Sequence, residues 1–218
     1  MNFYVLRDSA GLYLIDGGFI AGRSRLARAL RKRGWDNDPI VGIVLTHGHL
    51  DHILNVGRIA KDSGAWIAAP RLETAHYAGR PVYRGAARVT GWLEAVGRPL
   101  LGFRSFTPDR LLDDGDSLDI WEGLTVVGLP GHTDGHSGFY SQERKLLFCG
   151  DLFASYGRLS HLPPRIFNDN SGQIPGSISK ALTLELQGVL PNHCDHSTPE
   201  SHFALLKELA RRHKRAEQ

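Results

Sequence analysis

The apolar positions fall into short runs cut by turn signals. Tyr4-Val5-Leu6 and Leu12-Tyr13-Leu14-Ile15 are two such runs, and the second stops at Asp16-Gly17-Gly18; together they predict a hairpin or meander. Over residues 21–33 the period changes. Leu26, Ala29 and Leu30 recur at helical spacing, six cationic residues from Arg23 to Arg33 fill the other faces, and Gly34 supplies a stop. Residues 40–45 form an unbroken β-rich apolar run, the pattern of a strand covered on both faces. A helix over about 52–63 and a strand over 65–69, closed by Pro70, come next. Residues 71–110 are aromatic and irregular, with one helix near 86–96. Strands are predicted over 117–121 and 124–129 around Glu122-Gly123, then over 145–149 and 188–190. The last helices are expected over 177–187 and 199–213, the latter with Pro199 in its first turn. Strands and helices so mixed predict a layered α/β or α+β domain.

Composition narrows this picture. The chain has 218 residues, 41% hydrophobic and 22% charged, which excludes a disordered or fibrous polypeptide and allows a sizeable core. With no internal repeat or linker, residues 1–218 are expected to form a single domain. No apolar run nears the roughly 18 residues a membrane span needs, so no membrane partner is expected. The opening residues show no basic leader ahead of an apolar stretch, and two cysteines cannot build a disulfide framework; both point to a cytoplasmic protein. The net charge of +3 allows an anionic substrate, but the arginines of 21–33 and 211–215 read as solvated faces, and nucleic acid is not expected as a partner. The unusual count is histidine, 11 residues against one methionine.

Those histidines cluster. Thr46-His47-Gly48-His49-Leu50-Asp51-His52 puts three imidazoles and a carboxylate directly after a buried strand. Four titratable groups there are costly to bury unless each finds a partner, and a cation supplies one partner for all. His47 and His49 can converge on one ion from a turn, with Gly48 relaxing the backbone between them; Asp51 and His52 point elsewhere, which suggests a second ion. Later strands repeat the theme. His132 follows Leu129-Pro130-Gly131, Asp151 follows Cys149-Gly150, and His193 follows Leu190-Pro191-Asn192.

With Asp16-Gly17-Gly18, the His47–His52 cluster, Pro130–Ser137, Gly150–Phe153 and Leu190–His193 in this order, the chain resembles the metallo-β-lactamase-fold hydrolase superfamily, in its small glyoxalase-II-like branch. The resemblance implies a four-layer αββα sandwich of the α+β class and a binuclear site for two divalent ions, zinc before iron or manganese. By position, His47, His49 and His132 would hold one ion, Asp51, His52 and His193 the other, and Asp151 would bridge them. Asp51 and Asp151 are the candidate catalytic carboxylates. Asn192, where the family often has glycine, is expected to tolerate a left-handed backbone in its place. His136 is expected near the site without binding metal, and Cys149 as a small buried hydrophobe.

Two ions sharing a water lower its pKa from 15.7 toward about 7, so hydroxide exists at neutral pH and can attack a polarised carbonyl. The expected enzyme is a metal-dependent hydrolase that uses this metal-bound hydroxide on a small-molecule thioester, ester or lactone. Tyr77, Tyr83, Phe106, Tyr156, Arg165 and Phe167 are candidate rim contacts. With 25 residues after His193, no long glutathione-binding region is expected. The alternatives are a phosphodiesterase or RNA-processing nuclease using helix 21–33, a mononuclear-iron persulfide dioxygenase, and a non-catalytic binding module. Oligomeric state, monomer or homodimer, is left open.

Overall fold

A computed structural model describes residues 1–216. The chain folds as two compact units, one of residues 3–82 and 91–112 with Met1, the other of residues 83–90 and from 113 onward with Asn2.

In the first unit, β1 (Tyr4–Asp8), β2 (Gly11–Ile15), β3 (Ile40–Val44), β4 (Trp66–Pro70) and β5 (Arg110–Leu112) form one sheet in that order. The β1–β2 hairpin is antiparallel and every later pair is parallel. Its turn needs Gly11, whose φ is +139° and whose Cβ would meet the Pro39 carbonyl at 2.5 Å. Helix α1 (Gly22–Arg33) buries Leu26 and Leu30 and ends on Gly34 in the left-handed conformation, while its arginines stay exposed. The helix expected over 52–63 is two helices, α2 (Leu50–Ile53) and α3 (Val56–Ser63). The cause lies elsewhere in the chain: Asn55 turns its amide onto the carbonyls of Gly17, Gly18 and Phe19, at 2.8–3.1 Å. Leu12, Leu14, Ile43, Leu45, Ile53, Val56, Ile59 and Ile67 make the core, each burial contributing roughly 1.5–3 kcal/mol. Two further helices follow β4: α4 (Thr74–Tyr77) and α5 (Arg88–Leu100), whose first three residues count with the second unit; α5 is longer than expected and runs past Pro99.

In the second unit, β6 (Ser117–Leu118), β7 (Leu124–Gly128), β8 (Ser137–Ser141), β9 (Leu146–Gly150) and β12 (Gly188–Pro191) form a sheet in the order β12-β9-β8-β7-β6. β12 runs parallel to β9 and the others are antiparallel. A small hairpin of β10 (Ala154–Tyr156) and β11 (Leu159–His161) follows β9. Helices α6 (Ile174–Ala181) and α7 (Pro199–Ala216) carry Ile174, Ile178, Leu206 and Leu209 onto Val127, Leu129, Leu147, Cys149 and Val189 of the sheet. The helix expected over 177–187 begins three residues earlier and stops at Ala181. Sheets mixed in direction and covered by helices place the chain in the α+β class. Among the described residues, no helix is long and apolar enough to cross a membrane.

Candidate metal centre

In each unit, strand direction gathers the polar groups. Because β2, β3 and β4 are parallel, Asp16, the His47–His52 cluster and Glu73-His76 all leave the sheet at the same edge. In the second sheet β7, β9 and β12 share a direction opposite to β8. His132 after β7, His136 before β8, Asp151 after β9 and His193 after β12 therefore share one edge as well.

The first donor set is His47, His49, Asp51 and His52. The rings of His47 and His49 lie edge to face at 4.8 Å, and those of His47 and His52 are tilted at 4.0 Å. All three histidines are buried, and Asp51 is half-buried with Oδ2 3.7 Å from His52 Nε2. Asp16 organises them. Its carboxylate, on a residue of φ +64°, accepts from the Thr46 amide and hydroxyl, each at 2.8 Å, and from His52 Nδ1 at 2.9 Å. The Thr46 hydroxyl directs its one hydrogen to Asp16, so its oxygen accepts from His47 Nδ1 at 3.0 Å. Both imidazoles thereby present Nδ1–H to an oxygen, which turns a solvent-shielded Nε2 to the opposite side of each ring.

A second layer grips the loop backbone. Glu73 accepts the Gly48 amide at 2.9 Å and Glu94 the Leu50 amide at 2.8 Å, while His76 Nδ1 donates to the Gly48 carbonyl at 3.0 Å. Arg98 holds Glu94 through two nitrogens and donates to the His76 carbonyl at 2.9 Å. Gly48 is glycine for space rather than backbone freedom: its φ is not positive, but a Cβ there would sit 2.3 Å from the His76 Cβ.

The second donor set is His132, Asp151 and His193. Asp151 Oδ2 lies 3.4 Å from His132 Nε2 and 3.2 Å from His193 Nε2, so one carboxylate oxygen stands between two imidazoles. Asn168 sets the tautomer of His132. Its Nδ2 donates to the Pro163 carbonyl and the Ser171 hydroxyl, which turns Oδ1 to accept from His132 Nδ1 at 2.9 Å. His136, expected nearby as a non-ligand, donates from Nδ1 to the Leu129 carbonyl and accepts the Asp151 amide on Nε2, bracing that turn. Asn192 departs from its expected role. Its φ is not positive; its side chain donates to the Asn2 carbonyl at 2.9 Å, and Asn2 returns hydrogen bonds to the carbonyls of Asn192 and Cys194.

Neutral imidazole nitrogens with carboxylate oxygens are the donor chemistry of a divalent cation such as zinc, and the held Nδ1 atoms leave Nε2 as the ligating atom. Each of the seven expected ligands offers an atom that could help hold an ion. Cys149 is buried, which pushes its thiol well up and makes it a core residue rather than a thiolate ligand. Tyr77 leaves the list of rim contacts: it is fully buried in the first core and stacks on Phe106 at 5.3 Å. Asn168, Glu73, Glu94 and Arg98 had no signal in the sequence. Asp16 had one, as the lone acid ending an apolar strand.

A sequence model of the metallo-beta-lactamase superfamily matches residues 2–187. Human acyl-coenzyme A thioesterase MBLAC2 is 27% identical over 205 residues, 88% of this chain and 67% of that protein. A hydroxyacylglutathione hydrolase of Ectopseudomonas mendocina (strain ymp) is 28% identical over 158 residues, 71% of this chain; the match spans less than half, 46%, of that enzyme. Among solved structures, a metallo-beta-lactamase family protein of Thermus thermophilus superposes with a TM-score of 0.73 at 22% identity, covering 98% of this chain and 74% of that one. The strand-end histidines and carboxylates thus sit on a metallo-β-lactamase fold, and the chain belongs to the metallo-beta-lactamase superfamily.

Proposed function

We propose that the protein is a binuclear metal-dependent hydrolase of a small-molecule thioester, and that residues 1–218 act as one catalytic domain. In this reading His47, His49 and His132 would hold one divalent ion and Asp51, His52 and His193 a second, with Asp151 contributing its carboxylate to both. The observation that carries it is that His47, His52 and His132 each engage an oxygen through Nδ1, which makes Nε2 the nitrogen suited to ligate. The choice of a thioester over an ester, lactone or phosphodiester follows from two relatives, since an acyl-coenzyme A and an acylglutathione are both thioesters. Bound ions, zinc in this proposal, would polarise the carbonyl and supply hydroxide at neutral pH.

The chain's own residues do the rest. Asp16 and Asn168 engage Nδ1 of His52 and His132 and so aim Nε2, as ligation requires. Asp151, its main chain braced by His136, holds its carboxylate between two imidazoles and orients the nucleophile. The test begins with elemental analysis of protein purified without added metal, with two ions per chain expected. A panel of thioester, lactone and phosphodiester substrates follows. Asp151→Ala should lower thioester turnover by orders of magnitude while the fold is kept. One iron per chain with oxygen uptake, or phosphodiester turnover alone, would replace the proposal.

A further inference from the structure

Helix α5 is buried on the side a sequence reading would leave in water. Thr90, Glu94 and Arg98, spaced i, i+4, i+8, are buried, and their partners explain why. Thr90 hydrogen-bonds the Ile166 carbonyl, Glu94 holds the Leu50 amide and Arg98 holds Glu94. Gly97 permits the close approach, since a Cβ there would stand 3.3 Å from the Leu50 side chain. The apolar positions of the same helix are on the outside. Val89 (50% exposed), Trp92 (68%), Leu93 (49%), Val96 (46%) and Leu100 (78%) fall at i, i+3, i+4, i+7 and i+11, one continuous stripe. An ordered exposed stripe of this kind marks an interaction site, whereas scattered apolar residues do not.

The charges select the occupant. Between residues 71 and 100 both glutamates, Glu73 and Glu94, are buried, and the exposed charges are Arg71, Arg80, Arg84 and Arg88. A second copy meeting this face with its own would bring the same cations to the contact, whereas an anionic surface would neutralise them. An anionic lipid surface takes both features, with the tryptophan and aliphatic side chains at the headgroup level and the arginines on the phosphates.

We propose that the outward stripe of α5, with Arg80, Arg84 and Arg88, docks the protein peripherally on an anionic lipid surface. The absence of a spanning helix does not bear on such docking, because the helix lies in the interface. This inference is independent of the hydrolytic reading. Co-sedimentation with vesicles of phosphatidylcholine, alone or mixed with phosphatidylserine, tests it without an activity readout. Binding is expected to the mixed vesicles only, and to weaken with salt. Arg84→Gln and Arg88→Gln should each weaken it about fivefold. Trp92→Ser, at an exposed site that should leave the circular dichroism spectrum unchanged, should weaken it about tenfold or more. No binding to phosphatidylserine vesicles, equal binding to phosphatidylcholine alone, or full binding by Trp92→Ser would overturn the proposal. So would a dimer in sedimentation equilibrium that Trp92→Ser dissociates, which would assign the stripe to a second copy.

Discussion

A metal ligand is only as good as the hydrogen bond on its other nitrogen, and at the scale of one residue Asn168 supplies that bond to His132, a proposed ligand. Two donations from Nδ2, to Pro163 and Ser171, leave Oδ1 as the only face it can offer His132. Asn168→Ala removes that acceptor and frees the ring to rotate. Metal affinity should fall by roughly 10–100-fold, read by competition with a chromophoric chelator. The proposed ligands stand out in the sequence, because a strand, a breaker and a histidine form a local signal. Asn168 was not, since it lies 36 residues from the histidine it serves. Asn192 shows the opposite failure: the position was noticed, but its backbone is ordinary and the side chain is what matters, through Asn2.

At the scale of an element, α2 is four residues long and could not stand alone. Its first amide is capped by Glu94 from α5, which Arg98 neutralises, both buried. Arg98→Leu leaves a buried carboxylate without its cation and should cost about 3–5 kcal/mol of unfolding free energy in a urea titration. The strands were legible where apolar runs were long, as in β3 and β9. β8 was missed because Ser137-Gly138-Phe139-Tyr140-Ser141 has too few aliphatic residues to read as a strand, although all five are buried. The break between α2 and α3 was hidden for a different reason: Asn55 bonds carbonyls about 36 residues away. At the end of β7, Asp114 bonds Lys180 of α6 at 2.7 Å and accepts the Gly128 amide. Burial raises its pKa, but the Lys180 and Gly128 hydrogen bonds outweigh that, and the net shift is downward. A depressed carboxyl stabilises the fold above its unfolded value, about 3.9, and stops doing so as pH falls through the lower folded value. Asp114→Asn should therefore be less stable than the parent by about 0.2–1 kcal/mol at neutral pH, with the gap closing below about pH 4. Urea unfolding of both proteins across that range measures it.

For the molecule as a whole, the proposed ions tie folding to metal. A cation that binds the native state and not the unfolded chain adds about 2.7 kcal/mol at a hundred times its dissociation constant. Chelation should lower the thermal midpoint, and zinc should restore it, followed by differential scanning calorimetry. The same experiment on Asp151→Ala should show a smaller difference between loaded and stripped protein. Fold class and family were legible across the whole chain, because the motifs span it in order. The outward stripe of α5 was not, since only packing reveals which side of that helix meets water. The clasp at the amino end has a practical consequence. Two hydrogen bonds donated by Asn2 and one accepted by its carbonyl fasten the turn that presents His193, one residue beyond Asn192. Whatever chain precedes residue 2 in a preparation pulls on that fastening, so metal contents are comparable only between preparations that carry the same residues there.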